Sequence, residues 1–295
     1  MNLELDAVQQ QLIDAVAKSE AEAPAEASGW DVLDTVGLSE LLAPEPGARP
    51  ILGTLEWCLI LEELGAGCRS HTLVLSVRTL VDVCAEAGER TAAGEAFRTW
   101  VSHHRTAPGD DTALVQRAGD GVWRIAYPLR TALPGEITLD ASTAKAMDDR
   151  ELLLIAAYAC GVARRCLEVA QERAGQRVVA GRRLLEHQGT GHRIARCAVD
   201  LTIARVGLWR AAHGEDEGER AGHRAEAAAA ACVSAALDCA HTVVQVFGAA
   251  GTSDPVVVRL FRMAYSLPAV SGSPRALWQS VGARRLPPLV SRSPT

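Results

Sequence analysis

Residues 151–161 read Glu-Leu-Leu-Leu-Ile-Ala-Ala-Tyr-Ala-Cys-Gly, an apolar run behind a single carboxylate. The run lies inside a longer segment, residues 148–175, in which apolar positions recur at helical spacing. Further segments of the same kind follow at residues 184–213, 221–247 and 275–285. The C-terminal half therefore predicts a bundle of four helical segments, three of them long.

The N-terminal part of the chain also shows helical periodicity. Helices are predicted at residues 3–22, 30–42, 52–65, 73–87 and 95–103. From His104 the pattern changes, and short strands between Gly and Pro residues are predicted at 113–115, 121–125 and 136–139. We therefore predict a mainly α chain with a helical N-terminal domain (residues 1–104), a reduced β insert (105–142) and a C-terminal four-helix bundle (143–295).

The composition supports a helical protein and excludes several classes. The 295 residues are 48% hydrophobic but only 4% aromatic, so the apolar content is mostly small and aliphatic. This composition favours closely packed helices over an all-β sandwich, and it is too apolar for a disordered chain. A net charge of −6 without a basic block predicts no nucleic-acid partner.

The sequence also carries information about location and cysteine chemistry. No run reaches the ~18 uninterrupted apolar residues that a membrane helix needs, and the first twenty residues are acidic where a signal peptide would be basic and then apolar. We therefore expect a cytoplasmic chain that does not interact with a membrane. The eight cysteines form no CxxC pair and mostly lie in apolar helical segments, so we expect buried free thiols.

Several short motifs occur in a fixed order along the chain. Residues 177–181 read Arg-Val-Val-Ala-Gly and are followed by Gln188, and residues 245–251 read Gln-Val-Phe-Gly-Ala-Ala-Gly. Residues 262–273, which read Arg-Met-Ala-Tyr-Ser-Leu-Pro-Ala-Val-Ser-Gly-Ser, complete the C-terminal set. Two N-terminal motifs precede them, at residues 37–45 and 61–65.

Together these motifs resemble those of the acyl-CoA dehydrogenase family, and the resemblance covers nearly the whole chain. The C-terminal motifs are similar to R-x-x-F-G…Q, Q-x-x-G-G-x-G and R-D-A-x-x-x-x-x-Y-E-G-T. The N-terminal motifs are similar to G-L-x-x-x-x-x-P-E and E-E-L-G. The resemblance implies an α-helical N-terminal domain, a central β domain and a C-terminal four-helix bundle.

The chain departs from the family pattern at several positions. Ala180 replaces the Phe of R-x-x-F-G, Ala249 a Gly, Met263 an Asp, and Ser271 the usual catalytic Glu. The insert is too short for the full β domain, and neither the T-E-P-x-x-G-S-D stretch nor the W-I-T/S segment is found. About half of the family's usual flavin pocket is therefore missing from this sequence.

The chemistry that the resemblance implies needs a base. In the family a carboxylate removes the proton α to a thioester while a hydride leaves the β carbon for the flavin, and Ser271 cannot act as that carboxylate. Some members carry their Glu on the first helix of the bundle, and Glu151 falls on that position when the segments are aligned on Gly161. Glu151 is therefore the candidate base. The alternative is that it only opens a helix, where the helix dipole favours a carboxylate.

The resemblance also implies cofactor-binding residues. Arg177 and Gln188 correspond to residues that reach the flavin dinucleotide of a neighbouring subunit, and the planar fork of an arginine suits a pyrophosphate. Candidate FAD contacts further along the chain are Gln245, Gly248, Gly251 and Ser273. A surface arginine and a simple helix-to-helix turn are the alternatives. His187 and His192 lack a third ligand at matching spacing, so no metal site is predicted.

Three functions remain open on the sequence alone. The first is a flavoprotein that dehydrogenates an acyl thioester, carried on CoA or a carrier protein, with Glu151 as base. The second is a non-catalytic partner subunit of a heteromeric acyl-CoA dehydrogenase. The third is a flavin-free dehydratase or cyclase of a natural-product pathway on the same scaffold. The family's bundle helices also imply a homodimer or tetramer, or a heteromer with a second dehydrogenase subunit.

Overall fold

The computed structural model describes residues 5–24, 27–38, 52–69, 78–79, 82–83, 115–119, 122–125 and 136–286. The predicted helix at residues 95–103, most of the motif at residues 37–45, and Cys84 lie outside these ranges. The predicted helix at residues 73–87 is described at four residues, and all four are helical.

The N-terminal part contains three described helices: α1 (Ala7–Glu22), α2 (Gly29–Thr35) and α3 (Thr54–Ala66). α1 and α2 begin at capping boxes. In each, the N-cap side chain accepts from a backbone N–H of the first turn, and a side chain of that turn accepts from the N-cap N–H. Arg69, just beyond α3, is buried, and its guanidinium donates to Glu20 and to backbone carbonyls around the end of α1. This side chain helps to hold the end of α1 against the end of α3.

The predicted β insert is a small antiparallel sheet. Its strands are β1 (Val115–Gly119), β2 (Val122–Ile125) and β3 (Glu136–Thr138), paired in that order. Trp123 lies opposite Ile137, and both side chains are buried, so one face of the sheet contributes to the core. The position predicted for the second and third strands is confirmed, whereas the first extends to Gly119 instead of ending at Val115.

Residues 136–286 contain five α-helices, one more than the sequence predicted. They are α4 (Ala141–Gln176), α5 (Gln188–Asp216), α6 (His223–Phe247), α7 (Pro255–Ser271) and α8 (Pro274–Arg285). α7 was missed because Pro268 interrupts its pattern, although that proline lies only one turn from the helix end. Asp254 and Pro255 give it a strong start, since the Asp254 carboxylate accepts from the N–H groups of Val256 and Val257.

α6 is the central helix of the bundle and packs against α4, α5, α7 and α8. Its inward face is largely alanine, with Ala225, Ala229, Ala230, Ala236 and Ala240 fully buried. Residues His223–Thr252 are long and apolar enough to cross a membrane by length and composition, but 61% of the 18-residue apolar window within them is buried inside the fold. The apolar character of α6 is therefore explained by its place in the core.

α3 and α4 cross at two glycines. A Cβ added at Gly161 would lie 2.7 Å from the backbone N of Ala66 and closer still to the carbonyl O of Glu62. A Cβ at Gly65 would clash with the carbonyl O of Tyr158 in the same way. The last residue of the Leu-Glu-Glu-Leu-Gly motif and the last residue of the 151–161 run therefore allow the two backbones to touch.

The two glutamates of the same motif hold α3 to the bundle. Glu62 is almost fully buried, and its carboxylate lies 2.8 Å from Nε of Arg205 on α5. Glu63 lies 2.7 Å from an Nη of Arg164 on α4. Burial raises the pKa of Glu62, and the neighbouring Arg205 opposes that shift. The motif thus has a structural role, joining the N-terminal helices to α4 and α5.

Seven cysteines fall within the described residues, and all seven are free thiols. Six are buried and Cys68 is half-buried, which confirms the expectation for these positions. Sγ of Cys160 on α4 and Sγ of Cys232 on α6 lie 3.3 Å apart, so the thiols pack as small apolar groups at close helix contacts.

Candidate functional site

Three of the predicted cofactor residues meet in one cleft at the end of the bundle where α4 and α6 stop. Arg177, Gln245 and Gly248 line this cleft, which has a volume of about 490 Å³. They come from two segments far apart in sequence, the end of α4 and the end of α6. The start of α5, with Gly189 and Thr190, forms another wall.

Arg177 is positioned by the backbone of α6. It is the C-cap of α4, and one of its terminal nitrogens lies 3.2 Å from the carbonyl oxygens of both Val246 and Phe247. Those carbonyls lie at the end of α6, so the guanidinium caps that helix. This contact holds Arg177 at the edge of the cleft, next to Gly248.

A tight hairpin follows Arg177 directly. β4 (Val178–Val179) pairs with β5 (Arg182–Arg183) through Ala180 and Gly181, whose φ angles are +50° and +78°. Two consecutive left-handed residues form the two-residue turn that suits a twisted hairpin. Ala180, which replaces the family's Phe, is exposed in this turn, so the hairpin presents no aromatic ring there.

The chain then turns into α5 beside the cleft. A short 3₁₀ turn (Leu184–Glu186) leads to His187, whose Nε2 lies 3.0 Å from the carbonyl O of Val179. Gln188, the first residue of α5, is exposed and adjacent to the cleft-lining Gly189. His187 therefore holds the hairpin against the start of α5.

The polar groups around the cleft are mostly hydrogen-bond donors. Arg177 and Arg193 are cationic, Gln245 carries an amide, and α5 directs its N-terminal N–H groups toward this end. Arg193, one turn into α5, was not singled out from the sequence, and only its place in the cleft identifies it. A donor set of this kind fits the diphosphate of a dinucleotide such as FAD.

Two of the predicted cofactor residues have other roles in this chain. Gly251 is buried in the 3₁₀ turn Gly248–Thr252, where an added Cβ would lie 3.0 Å from Cβ of Phe247. Ser273 is the N-cap of α8, and its hydroxyl accepts from the N–H of Ala276 at 3.2 Å. Neither is among the residues that line the cleft.

Glu151 lies in α4, far from the cleft. The helix starts at Ala141, roughly three turns earlier, so the interpretation of Glu151 as a residue that opens the helix is wrong. The side chain is half-buried on the same helix face as Met147, Leu154 and Ile155, all three of them buried. At 1.5 Å per residue, Glu151 and Arg177 are separated by about 39 Å along the axis.

Ser271 lies toward the Glu151 end of the bundle. α8, which begins next to it, contacts Glu226 at the start of α6 through Ser280, and Lys145 near the start of α4 also pairs with Glu226. The Ser271 side chain is buried, and its hydroxyl donates to the backbone of its own helix end, with carbonyl oxygens at 2.9 and 3.1 Å. Ser271 therefore acts as a helix-end residue and not as a base.

Residues 143–286 match the family model described as "Acyl-CoA dehydrogenase, C-terminal domain". By this match, the C-terminal part of the chain belongs to the acyl-CoA dehydrogenase family. Solved structures extend the likeness of fold to the N-terminal part, because the alignments span nearly all of both chains.

Butyryl-CoA dehydrogenase from Megasphaera elsdenii is 17% identical with a TM-score of 0.71, and the alignment covers 96% of this chain and 99% of that one. A chain of the ChsE4–ChsE5 complex from Mycobacterium tuberculosis is 18% identical with a TM-score of 0.72, and the alignment covers 100% of this chain and 100% of that one. PigA, solved as an FAD complex, is 15% identical with a TM-score of 0.69, over 96% of this chain and 99% of that one. At these identities the likeness shows the acyl-CoA dehydrogenase fold.

This acyl-CoA dehydrogenase fold has two chemically distinct ends. The Arg177 cleft lies at one end of α4, and Glu151 and Ser271 lie toward the other. No cluster of three or more His, Cys, Asp or Glu side chains suited to a metal occurs within the described residues.

Proposed function

We propose that this chain is a subunit of an acyl-CoA dehydrogenase-type flavoenzyme that dehydrogenates the α,β bond of an acyl thioester carried on CoA or a carrier protein. The observation that carries the proposal is the convergence of Arg177, Gln245 and Gly248 on one donor-lined cleft. If Arg177 were only a surface arginine and Gly248 only part of a turn, there would be no reason for these two distant segments to meet at one cleft.

The cleft end is assigned to FAD of a neighbouring subunit. Arg177 and Arg193 would hold the diphosphate, and Gln245 and the N–H groups at the start of α5 would orient it. Bound FAD would supply the hydride acceptor. Because the α6 carbonyls already fix Arg177, little side-chain entropy would be lost on binding.

The Glu151 end is assigned to the acyl thioester. Glu151 would take the α proton, and its apolar helix face of Met147, Leu154 and Ile155 would keep water away from the reacting carbons. One copy of α4 would thus contribute to two sites, about 39 Å apart along its axis.

A second candidate function is a partner subunit that lends its cleft to a flavin held mainly by another dehydrogenase chain. Two observations favour it: Ser271 has a purely structural contact where the family usually has Glu, and the exposed Ala180 leaves the hairpin without an aromatic ring. The structure described for one of the similar proteins is itself a complex of two named chains, ChsE4 and ChsE5.

Flavin loading tests the cofactor assignment. The purified chain, alone and co-expressed with a dehydrogenase chain, is incubated with FAD, and the bound flavin is measured by absorbance after gel filtration. We expect Arg177→Met to weaken FAD binding at least about tenfold, and so to lower the flavin retained after gel filtration, because a charged hydrogen bond to a phosphate is lost. Arg182→Met, on the adjacent hairpin and outside the cleft, is the matched control and should bind FAD as the wild type does. If the two variants bind FAD equally well, the cleft is not the cofactor site.

A second measurement separates the two candidate functions. With an acyl-CoA panel under anaerobic conditions, Glu151→Gln should abolish flavin bleaching if this chain is catalytic, because the amide cannot accept the α proton. In a partner subunit the same change would leave bleaching by the co-expressed enzyme intact. A Glu151→Gln chain that loads FAD alone and bleaches at the wild-type rate would refute Glu151 as base.

A further inference from the structure

A second cleft lies beside the Arg177 cleft, between α5 and α6, and Arg193 lines both. Its volume is about 460 Å³, and Cys197 of α5 and Thr242 of α6 are among the residues that line it. Sγ of Cys197 lies 3.3 Å from the hydroxyl oxygen of Thr242. Among the cysteines that the structure describes, Cys197 alone lines this cleft.

A second thiol contacts Cys197 from α6. Cys239 lies one helical turn before Thr242, so the two side chains share the face of α6 that packs against Cys197. The Cys239 thiol forms a hydrogen bond with the Cys197 sulfur. Cys239 is only 1% exposed and does not line the cleft, so a small molecule that enters the cleft meets Cys197 first.

The surroundings of Cys197 favour its thiolate. Hydrogen bonds from Cys239 and Thr242 lower the pKa of the Cys197 thiol to about 6, although burial and the carboxylates of Asp238 and Asp200 oppose the shift. The same hydrogen bond, together with burial, raises the pKa of Cys239, so that thiol keeps its proton. Four basic side chains also line the cleft: His192, Arg193, Arg196 and His241.

We propose that Cys197 and Cys239 are a redox-active thiol pair, in which a hydroperoxide oxidises Cys197 and Cys239 then closes a disulfide between α5 and α6. The roles follow from the geometry, because Cys197 lines the cleft and Cys239 lies behind it in contact. An accessible thiolate next to a second thiol is the arrangement that peroxides oxidise reversibly. The proposal concerns a site outside the proposed function and does not depend on it.

The two steps balance in atoms and electrons. In the first, the Cys197 thiolate attacks the terminal oxygen of the hydroperoxide, an S–O bond forms and the O–O bond breaks. The released alkoxide takes up a proton and leaves as the alcohol, or as water when the oxidant is hydrogen peroxide. In the second, the Cys239 sulfur attacks the Cys197 sulfenic acid, an S–S bond of about 2.05 Å forms, and the hydroxyl leaves with the Cys239 proton as water. The two thiols lose two electrons, which the O–O bond gains.

The chain contains a matched pair of thiols without a cleft. Sγ of Cys160 and Sγ of Cys232 lie 3.3 Å apart, and both residues are fully buried. The hydrogen bond with Cys232 and burial raise the pKa of Cys160 well above its usual range. If a cleft and a thiolate are what peroxide needs, this pair stays reduced while Cys197 and Cys239 react.

Disulfide mapping on the folded full-length chain tests the proposal. The chain is treated with a stoichiometric amount of hydrogen peroxide, and the remaining thiols are then alkylated during unfolding. Linked peptides are identified by mass spectrometry without reduction. Trypsin leaves Cys232 and Cys239 in one peptide, because no Lys or Arg separates them, so the linkage is assigned by fragmentation and repeated in Cys232→Ser. We expect a Cys197–Cys239 disulfide, with Cys160 and Cys232 recovered as alkylated thiols.

Three variants separate the roles of the thiols. Cys239→Ser should stop at the sulfenic acid, which dimedone labels at Cys197. Cys197→Ser should abolish the disulfide and leave Cys239 reduced over the same time. Cys232→Ser is the matched control, and it should form the Cys197–Cys239 disulfide at the wild-type rate. Circular dichroism verifies that each variant is folded.

Three outcomes would overturn the proposal. If the Cys160–Cys232 pair oxidises as fast as the Cys197–Cys239 pair, contact between thiols decides the reaction and the cleft does not. If Cys197 stays reduced in both the wild type and Cys239→Ser, it is not the thiol that reacts with peroxide. If the wild type accumulates sulfenic acid at Cys197 without a disulfide, Cys239 is not its partner. None of these measurements uses FAD, so each result is independent of the proposed function.

Discussion

Gly161→Ala tests the glycine crossing that joins α3 to α4. The new Cβ would lie 2.7 Å from the backbone N of Ala66 and nearer still to the carbonyl O of Glu62, whereas ordinary contacts of a Cβ fall at 3.4–4 Å. Both partners are backbone atoms of a helix, so no side chain can move aside. The two helices must separate by about 1 Å, a gap that forfeits a quarter to a half of the dispersion energy across the contact.

The magnitude follows from two opposing effects. Overpacking of a tight core contact costs about 1–3 kcal/mol, and this one lies at the upper end because only backbone can yield. Replacing a mid-helix Gly by Ala returns about 1 kcal/mol in helix propensity. We therefore expect a net loss of about 2 kcal/mol in the free energy of unfolding.

The assay is urea unfolding followed by circular dichroism at fixed protein concentration. Gly175→Ala is the matched control, since it lies in the same helix with nothing within 4 Å of the added Cβ, and it should be neutral or slightly stabilising. A Gly161→Ala chain as stable as the wild type would refute the claim that backbone contact sets the spacing of α3 and α4.

The remaining predictions concern a helix cap, a strained turn and a buried ion pair. The Asp216 carboxylate accepts from the first two N–H groups of α3 at 2.6 and 2.9 Å, so Asp216→Ala should cost about 1–2 kcal/mol in urea unfolding, and Asp216→Asn clearly less. Ala180→Asn should raise the thermal midpoint, because Asn tolerates the left-handed turn better than Ala; a lower midpoint would contradict that role of the turn. Arg205→Met should destabilise by about 3 kcal/mol at pH 7, because Glu62 is left as an unpaired buried charge. The raised pKa of Glu62 means that its contribution to stability is full below its unfolded pKa and is lost as the pH rises through the folded one. Without the opposing arginine the folded pKa is raised further, so the variant should lose more stability than the wild type as the pH rises above the ordinary glutamate range, unless Glu62→Gln is added.

Much of the fold was predictable because long amphipathic helices leave a strong periodic signal. α1, α3, α4, α5 and α6 lie within a few residues of their predicted positions apart from the earlier start of α4. α7 was missed because Pro268 and the surrounding glycines look like loop signals when the N-cap at Asp254 is not weighed against them. The start of α4 was misplaced because residues 141–147 are mostly small or polar and show little apolar periodicity.

The candidate site was predictable only in part, and the reason is geometric. Arg177, Gln245 and Gly248 were found through motifs, and their meeting in one cleft depends on where two distant helices end. Spacing along the chain could not show that Arg177 caps α6, nor that Arg193 lies beside it. Likewise, the role of Ser273 as the N-cap of α8 could be recognised only after the structure showed where that helix begins.

The alanine face of α6 has a consequence for how the chain reaches its native state. Alanine has no side-chain rotamers, so burying Ala225, Ala229, Ala230, Ala236 and Ala240 costs none of the rotamer entropy that leucines in their place would lose, about 0.5–1 kcal/mol each. The alanine positions of the central helix can thus be ordered without choosing among side-chain conformations. Its neighbours can dock against an inward surface that is already shaped once the backbone is helical.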